Sequence, residues 1–499
     1  MRYSNEKFSK LITFIQERLA DKLPANSLRR RFAKGAFWSV AATIVSQGMG
    51  LAALVIAARI LGKTVFGELG MIQSTVGMFG ILAGLGLGLT ATKYVAEFRS
   101  SDPSRAGQII ALSSVLSLIS GGLIGVTIFL ISPYLAEHTI SAPHLTGELR
   151  IGCGLLFFNT LVGVQIGVLS GFEAFKTVAK VSLFRGLLNL PLVVLGVYFW
   201  GLRGAISGMV CAAAGGWVIN YIAVRKQTHR ANVPVSYHNI HSELAVLWGF
   251  SLPTFLISAM THTVMWVANA LLANQVGGYA QLGVFIAATR FQSILGLAGT
   301  KVGAALLPIL ASRDASQSDR FNRANILISW LLGVIPALLL ICFPEIMGLL
   351  FGSQYADISA RRTLVLVMFY TCIILYKQGL ARVLAANSLM WWSLLSNTMW
   401  AIVLMGSFWF LKQFGAIGLA SAFVTAYVLN AICFVPLYTR RRLVPKGTII
   451  SSEAATIWVV IIGLTLLSIF QFSLLVRGIG LLVSVLPLYI AFRRLFRGS

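Results

Sequence analysis

Three cations stand where the surrounding chain offers nothing to neutralise them. Arg185, Arg290 and Lys301 each lie inside a long apolar run, and no such run has a central Asp or Glu. Glu68, Glu97, Glu137, Glu148, Glu173, Glu345 and Asp357 fall at the ends of runs or between them. A charge sunk in an apolar medium costs several kcal/mol, so it needs a partner, a water-filled cavity or a ligand. With internal carboxylates out of reach, such cations select an anion, and Arg suits phosphate because its planar fork donates two hydrogen bonds at once. Arg290 and Lys301 are eleven residues apart. On a helix that is within about 20° of one face, with roughly 16 Å of rise between them. Arg59, Lys93 and Lys377 lie near run ends and form a second rank, able to snorkel to a polar boundary. His262, Trp266 and Asn269 in one run, with Asn159 and Gln165 in another, are of the types that stack on sugars or bond their hydroxyls. Taken singly, each of these more often serves packing. The five cysteines (Cys153, Cys211, Cys342, Cys372, Cys433) are scattered without a CxxC pair and read as small core residues. No catalytic residue, metal site or bound cofactor is expected; coupling to a proton or sodium gradient is left open.

The elements that must carry these residues follow from composition. Of the 499 residues 57% are apolar and 11% charged, and mean hydropathy is +0.83. A water-exposed chain carries about a quarter charged residues, so a soluble protein is excluded. Runs of about 20 apolar residues, the length of a membrane-crossing helix, occur fourteen times: 35–58, 70–92, 108–132, 151–172, 177–200, 204–224, 246–272, 281–308, 325–351, 363–386, 390–411, 416–438, 455–475 and 478–492. Residues 1–34 are basic, and Phe8, Leu11, Ile12, Ile15 and Leu19 form one apolar stripe, as in a helix lying on a membrane surface. With those near run ends, such as Lys180, Lys377 and Arg382, counted with the loop they adjoin, 29 of the 40 basic residues fall on the side of the N-terminus and 8 on the other. That bias puts both termini in the cytoplasm and accounts for most of the +25 charge without nucleic acid. The outer connections are short, the longest running from Pro133 to Glu148, which leaves no room for an external catalytic domain.

The chain also repeats itself. Gly62 and Gly67 after the first span match Gly278 and Gly283 after the seventh, at an offset of 216. Six spans separate the matches, so the halves share one orientation, the parallel-repeat case. An all-α polytopic fold is expected: two pseudo-symmetric six-helix bundles, 35–226 and 227–444, around a central cavity, with two further helices and a basic tail in 445–499. The basic stretch Arg225–Glu243 would link the bundles. Gly80, Gly84 and Gly88 form a small-residue stripe suited to close helix packing, and Pro191, Pro253, Pro308 and Pro336 permit bends within spans.

The run Ala58-Arg59-Ile60-Leu61-Gly62 with Phe66-Gly67, the Phe250-Ser251-Leu252-Pro253 start of the seventh span, and Phe343-Pro344-Glu345-Ile346 through Leu350-Phe351-Gly352 with Tyr355 are similar to the polysaccharide-transporter (Wzx-type oligosaccharide flippase) family. That family is a branch of the multidrug/oligosaccharidyl-lipid/polysaccharide exporter superfamily, and the resemblance extends over residues 33–495. It implies movement of an undecaprenyl-pyrophosphate-linked oligosaccharide across the bacterial inner membrane by alternating access, for O-antigen, capsule or exopolysaccharide. It also implies a basic cavity formed here by Arg59, Arg185, Arg290 and Lys301, with membrane lipids and polysaccharide polymerase or other assembly proteins as partners. The chain departs from its relatives in carrying Asn269 where they often have Asp, so ion coupling there lacks its carboxylate. Two other readings compete: a multidrug antiporter of the same superfold, which would need a membrane-embedded carboxylate, and a polytopic glycan polymerase or ligase.

Overall fold

In a computed structural model the backbone is described for residues 28–237, 244–310, 319–387, 389–441, 443 and 449–497. Side chains are described over 45–237, 255–297, 325–384, 391–441 and 449–495, with a few single residues between. The stripe expected in residues 1–27 and the end of the expected linker at 238–243 lie outside the described residues.

The described chain is helical throughout, with no strand. The helices are α1 (28–61), α2 (63–84), α3 (Leu87–Phe98), α4 (Pro103–Tyr134), α5 (Thr146–Gly171), α6 (175–199), α7 (202–230), α8 (Leu244–Ala273), α9 (Gly278–Leu310), α10 (Asp319–Cys342), α11 (Ile346–Phe351), α12 (Ile358–Ala386), α13 (Met390–Leu411), α14 (Gly415–Arg440), α15 (Ser452–Ile469) and α16 (Leu474–Arg497). Eleven segments are long and apolar enough to cross a membrane. Three of these are broken, at Gly62, at Trp200–Gly201 and at 412–414, which gives fourteen candidate crossings among the described residues, α2 and α3 together making one. The expected linker begins later than its charges suggested, because α7 continues as helix to Arg230.

Local signals fix several boundaries. Asp102 caps α4 by accepting from the Arg105 amide at 3.0 Å, with Pro103 in the first turn, and Ser451 caps α15 through the Ala454 amide at 3.1 Å. Gly62 adopts φ +75°, which turns α1 into α2 without a loop. Around the spans, apolar side chains face outward: Leu123 and Leu130 on α4, Val459 and Leu466 on α15, Leu482 and Val483 on α16 are all exposed. Exposed aromatics gather where the chain turns at the Gly62 end, namely Tyr134, Tyr198, Phe199, Trp200, Trp409, Phe410, Phe414, Phe470 and Phe472. Such rings settle at the boundary between hydrocarbon and water.

The bundles meet at the repeat. A Cβ on Gly67 would sit 1.9 Å from the Tyr279 carbonyl oxygen, and one on Gly283 2.2 Å from that of Lys63. Shifting Lys63 and Gly67 by 216 gives Tyr279 and Gly283, so this crossing of α2 and α9 maps onto itself, as contacts on a two-fold axis do. The matched Gly278 differs from Gly62: the positive φ in its turn belongs to Gly277, and Gly278 lies against the Leu272 and Ala273 carbonyls. The glycine stripe also divides. Gly88 packs on the Gly163 carbonyl, 2.9 Å from its would-be Cβ, whereas Gly80 and Gly84 meet nothing within 4 Å. Those two face open space and not a helix neighbour, contrary to the packing role their spacing suggested.

The last two helices are anchored at the Gly62 end by Arg477 of α16. It bonds Glu345 at 2.6 Å and the Cys342 carbonyl at 2.9 Å. Partial burial is the largest single influence and pushes the Glu345 carboxyl up, but hydrogen bonds from Arg477 and the backbone, with the charges of Arg477 and Arg361, together outweigh it and hold the group below its usual range. A lowered folded pKa contributes stability above the unfolded value of about 4.3 and loses it as pH falls through the folded value. Glu345→Gln should therefore melt below wild type at neutral pH, and the gap should close as the buffer is acidified below the ordinary carboxylate range. A gap unchanged across that range would rule out this anchoring.

Candidate functional site

A cavity of about 690 Å³ lies between the bundles. Helical periodicity selects its walls. Gln73, Gly77, Gly80 and Gly84 recur at steps of four, three and four on α2; Arg185 and Asn189 are one turn apart on α6; Arg290, Ser293 and Ile294 share a face of α9. Asn159, Thr160 and Gly163 of α5, Gln47 and Gly50 of α1, and Phe255 and Ser258 of α8 complete much of the lining. Toward the Gly62 end the two bundles come into backbone contact at the crossing of Gly67 and Gly283. In the other direction the cavity extends to Gly84, Gly86 and Leu89, where α2 breaks into α3 at Leu85 and Gly86, both at positive φ.

Arg185 and Arg290 both line this one cavity. Arg185 donates to Asn159 Oδ1 at 2.6 Å, and its stem has room because Gly216 of α7 lies beneath it, a Cβ there standing 3.4 Å from Arg185 Cδ. Arg290 donates to Gln73 Oε1 at 2.7 Å across the bundle boundary, and its Nε is buried with no hydrogen-bond partner. Among the described residues no ion pair joins either guanidinium; the carboxylates go elsewhere. Glu148 pairs with Arg203, Glu173 with Arg99, Glu68 with His144, Asp357 with Lys63, and Glu345 with Arg477 and Arg361. Each guanidinium thus meets a neutral amide oxygen and lines a partly open cavity whose walls are largely apolar, an arrangement able to take two oxyanion groups.

The other predicted residues separate. Lys301 lies on α9, but its side chain is outside the described residues. Arg59 is not in the cavity; it donates to the carbonyls of Leu349 and Leu350 at the end of α11, at 2.5 and 2.6 Å. Lys377 lies inside the second bundle, bonded to Asn430 of α14, which also meets Ser396 of α13. Lys93 sits on α3 over the Tyr94 ring, at 4.7 Å. His262 is exposed, with Nδ1 2.9 Å from the Ser258 carbonyl. Trp266 and Asn269 belong to the seam between bundles, where they donate to Thr75 Oγ1 and Ser74 Oγ, both at 3.0 Å. Three successive residues of α2, Gln73, Ser74 and Thr75, thereby tie to α9 and α8. Sequence reasoning missed Gln47, Gln73 and Asn189 as lining residues, although a carboxamide inside an apolar run is a signal of the kind that singled out the arginines.

The family described as "Polysaccharide biosynthesis protein" matches residues 32–314. A lipid III flippase of Escherichia coli (strain K12) is 22% identical over 425 residues, which are 82% of this chain and 99% of that protein. The lipid III flippase of Shigella flexneri gives the same figures. Among solved structures, the lipid II flippase MurJ in an inward closed conformation aligns with a TM-score of 0.68 at 14% identity, covering 92% of this chain and 98% of that one. An inward-facing multidrug resistance MATE family transporter of the MOP superfamily aligns at 0.61 and 18% identity, covering 82% and 98%. The structural likenesses speak to the fold.

Proposed function

Because the chain belongs to the polysaccharide biosynthesis protein family, we propose that it is a flippase that carries a lipid-linked oligosaccharide across the bacterial inner membrane during assembly of a cell-surface polysaccharide. The observation that carries this reading is the pair of cavity guanidiniums, Arg185 and Arg290, whose described partners are neutral amides. A polyprenyl diphosphate supplies the missing negative charge. The sugar head, rich in hydroxyls, suits the carboxamides of Gln47, Gln73, Asn159 and Asn189 on the same walls. The lipid tail stays in the bilayer, so only the polar head needs the cavity. Alternating access then requires the Gly62 end to open and the opposite end to close, with both termini on the cytoplasmic side.

The multidrug reading draws on a likeness of fold alone. A cavity walled by two guanidiniums repels a cationic drug, which favours the anionic lipid. The direct test reconstitutes the purified chain in liposomes with a fluorescent polyprenyl-diphosphate oligosaccharide and follows its accessibility to a membrane-impermeant quencher. Movement between leaflets in protein-containing vesicles is expected, and movement no faster than in empty vesicles would reject the function.

Filling the cavity gives a second check. Gly80→Leu and Gly84→Leu place side chains where a Cβ meets nothing within 4 Å, and Gly80→Leu also gains about 1 kcal/mol of helix propensity. Both variants should insert and melt like wild type while transport falls sharply. Wild-type transport in both would mean the substrate does not pass this wall.

A further inference from the structure

Two struts hold the Gly62 end shut, and the repeat relates them. In the first, the turn between α1 and α2 reaches the connection from α10 to α12. Arg59 grips the Leu349 and Leu350 carbonyls, the Lys63 amide donates to Gln354 Oε1 at 3.2 Å, and Lys63 Nζ meets Asp357 Oδ2 at 2.6 Å. In the second, the turn between α8 and α9 reaches the connection from α4 to α5. Asn274 donates to the Thr139 carbonyl at 2.9 Å, and the Tyr279 hydroxyl donates to the Ile140 carbonyl at 2.7 Å. Adding 216 to Lys63 gives Tyr279; adding it to Ile140 gives Ala356, beside Asp357. One strut is therefore built twice, once with charges and once with neutral groups.

Each strut ties the first turn of one bundle to the other bundle, so the end cannot open while both hold. They respond differently to the solution. The Lys63 and Asp357 side chains are 20% and 48% exposed, so water and salt already reach the pair, and added ions screen their attraction. The Ile140 carbonyl is held in a residue that is 1% exposed, and a neutral hydrogen bond is not screened.

We propose that the charged strut, Arg59 and Lys63 with Asp357 and the α11 carbonyls, is the release point of the closed end, and that it makes the balance between closed and open states depend on ionic strength. The proposal rests on the transporter reading but is tested without transport. Spin labels introduced through Glu137→Cys and Ser353→Cys, both exposed and in connections of opposite bundles, report the width of this end in the full chain in lipid nanodiscs. The background has its five native cysteines replaced by Ala.

At low salt a short distance should dominate. Lys63→Ala and Asp357→Asn, the latter keeping an acceptor for the Ala360 amide that Asp357 Oδ1 holds at 2.9 Å, should each raise the ratio of long to short distances on the order of two- to five-fold, the effect of losing one partly exposed ion pair. Molar salt should do the same to the unaltered charges and little to those variants. Exchanging the pair, Lys63→Asp with Asp357→Lys, should restore the short distance, which also shows that the altered chains fold. Tyr279→Phe should shift the ratio without changing its salt dependence. Identical distance distributions in the parent and both single-charge variants would overturn the proposal, as would salt dependence that persists after both charges are removed. Failure of lipid movement in liposomes with these responses intact would sink the flippase reading and leave the strut standing.

Discussion

Arg290→Ala is expected to weaken binding of a polyprenyl diphosphate roughly 10- to 150-fold, the equivalent of about 1.5–3 kcal/mol for hydrogen bonds to a charged group, and to reduce transport with it while the protein stays folded. The prediction turns on what the guanidinium leaves behind. Arg477 is held by Glu345, so removing it would leave that carboxylate only its longer contact with Arg361, at 3.6 Å, and destabilise the chain. Arg290 leaves only the Gln73 amide, whose Nε2 already contacts the Met209 sulfur at 3.3 Å. Removing a cation that has no carboxylate relieves the fold of a solvation cost, so the melting temperature should hold or rise. Arg185→Ala should behave alike, leaving Asn159. Arg185→Lys keeps the charge but loses the fork, so it should recover part of the binding. If one diphosphate bridges both groups, the double Ala variant will lose less than the sum of the singles, because neighbouring sites on one ligand are not additive. Calorimetry with a water-soluble short-chain prenyl diphosphate, alongside melting curves, separates these outcomes. Wild-type affinity in both single variants would remove the cavity cations from the function; a large fall in melting temperature would make them structural.

The crossings were legible because length and apolarity suffice to define them. Several runs predicted as spans recur as helices within a few residues, such as 246–272 beside Leu244–Ala273 and 390–411 as Met390–Leu411. The offset of 216 was legible too, since a two-fold crossing needs a glycine on both sides and leaves both in the sequence. What stood opposite each residue was not legible. In a membrane protein the lipid-facing, helix-facing and cavity-facing sides can all be apolar or small, so Gly80 and Gly84 looked like a packing stripe when they line open space. Arg59 looked like a cavity cation because its charge was visible and its partners were not: they are backbone carbonyls 290 and 291 positions away. Lys377 was read by its distance from a span end, which says nothing of Asn430 across the bundle. Arg185 and Arg290 could be singled out because the inference needed only the absence of acids along the spans, a property of the sequence itself.

Gly67→Val should be among the most damaging single substitutions in the chain. A carbon at the Cβ position would stand 1.9 Å from the Tyr279 carbonyl oxygen and 3.0 Å from the Gly283 amide nitrogen. The obstacle is backbone on a neighbouring helix, not the end of a flexible side chain, so relief requires α2 and α9 to separate by more than an ångström. Overpacking typically costs about 1–3 kcal/mol, and a backbone obstacle places this substitution at the upper end. The displacement also falls on residues that hold the end shut, because Lys63 lies four positions before Gly67 and Tyr279 four before Gly283. Moving the helices apart therefore strains the Lys63–Asp357 pair and the Tyr279–Ile140 bond together. Gly283→Val, its repeat mate, should fail in the same way, with a Cβ 2.2 Å from the Lys63 carbonyl oxygen. Gly77→Val, ten residues along the same span and facing open space, carries the same change in residue type without the contact and should melt near wild type. Melting curves of the three purified variants decide the matter. A Gly67→Val protein as stable as Gly77→Val would show that the bundles do not cross at this pair, and the two-fold relation drawn from the glycine offset would fall with it.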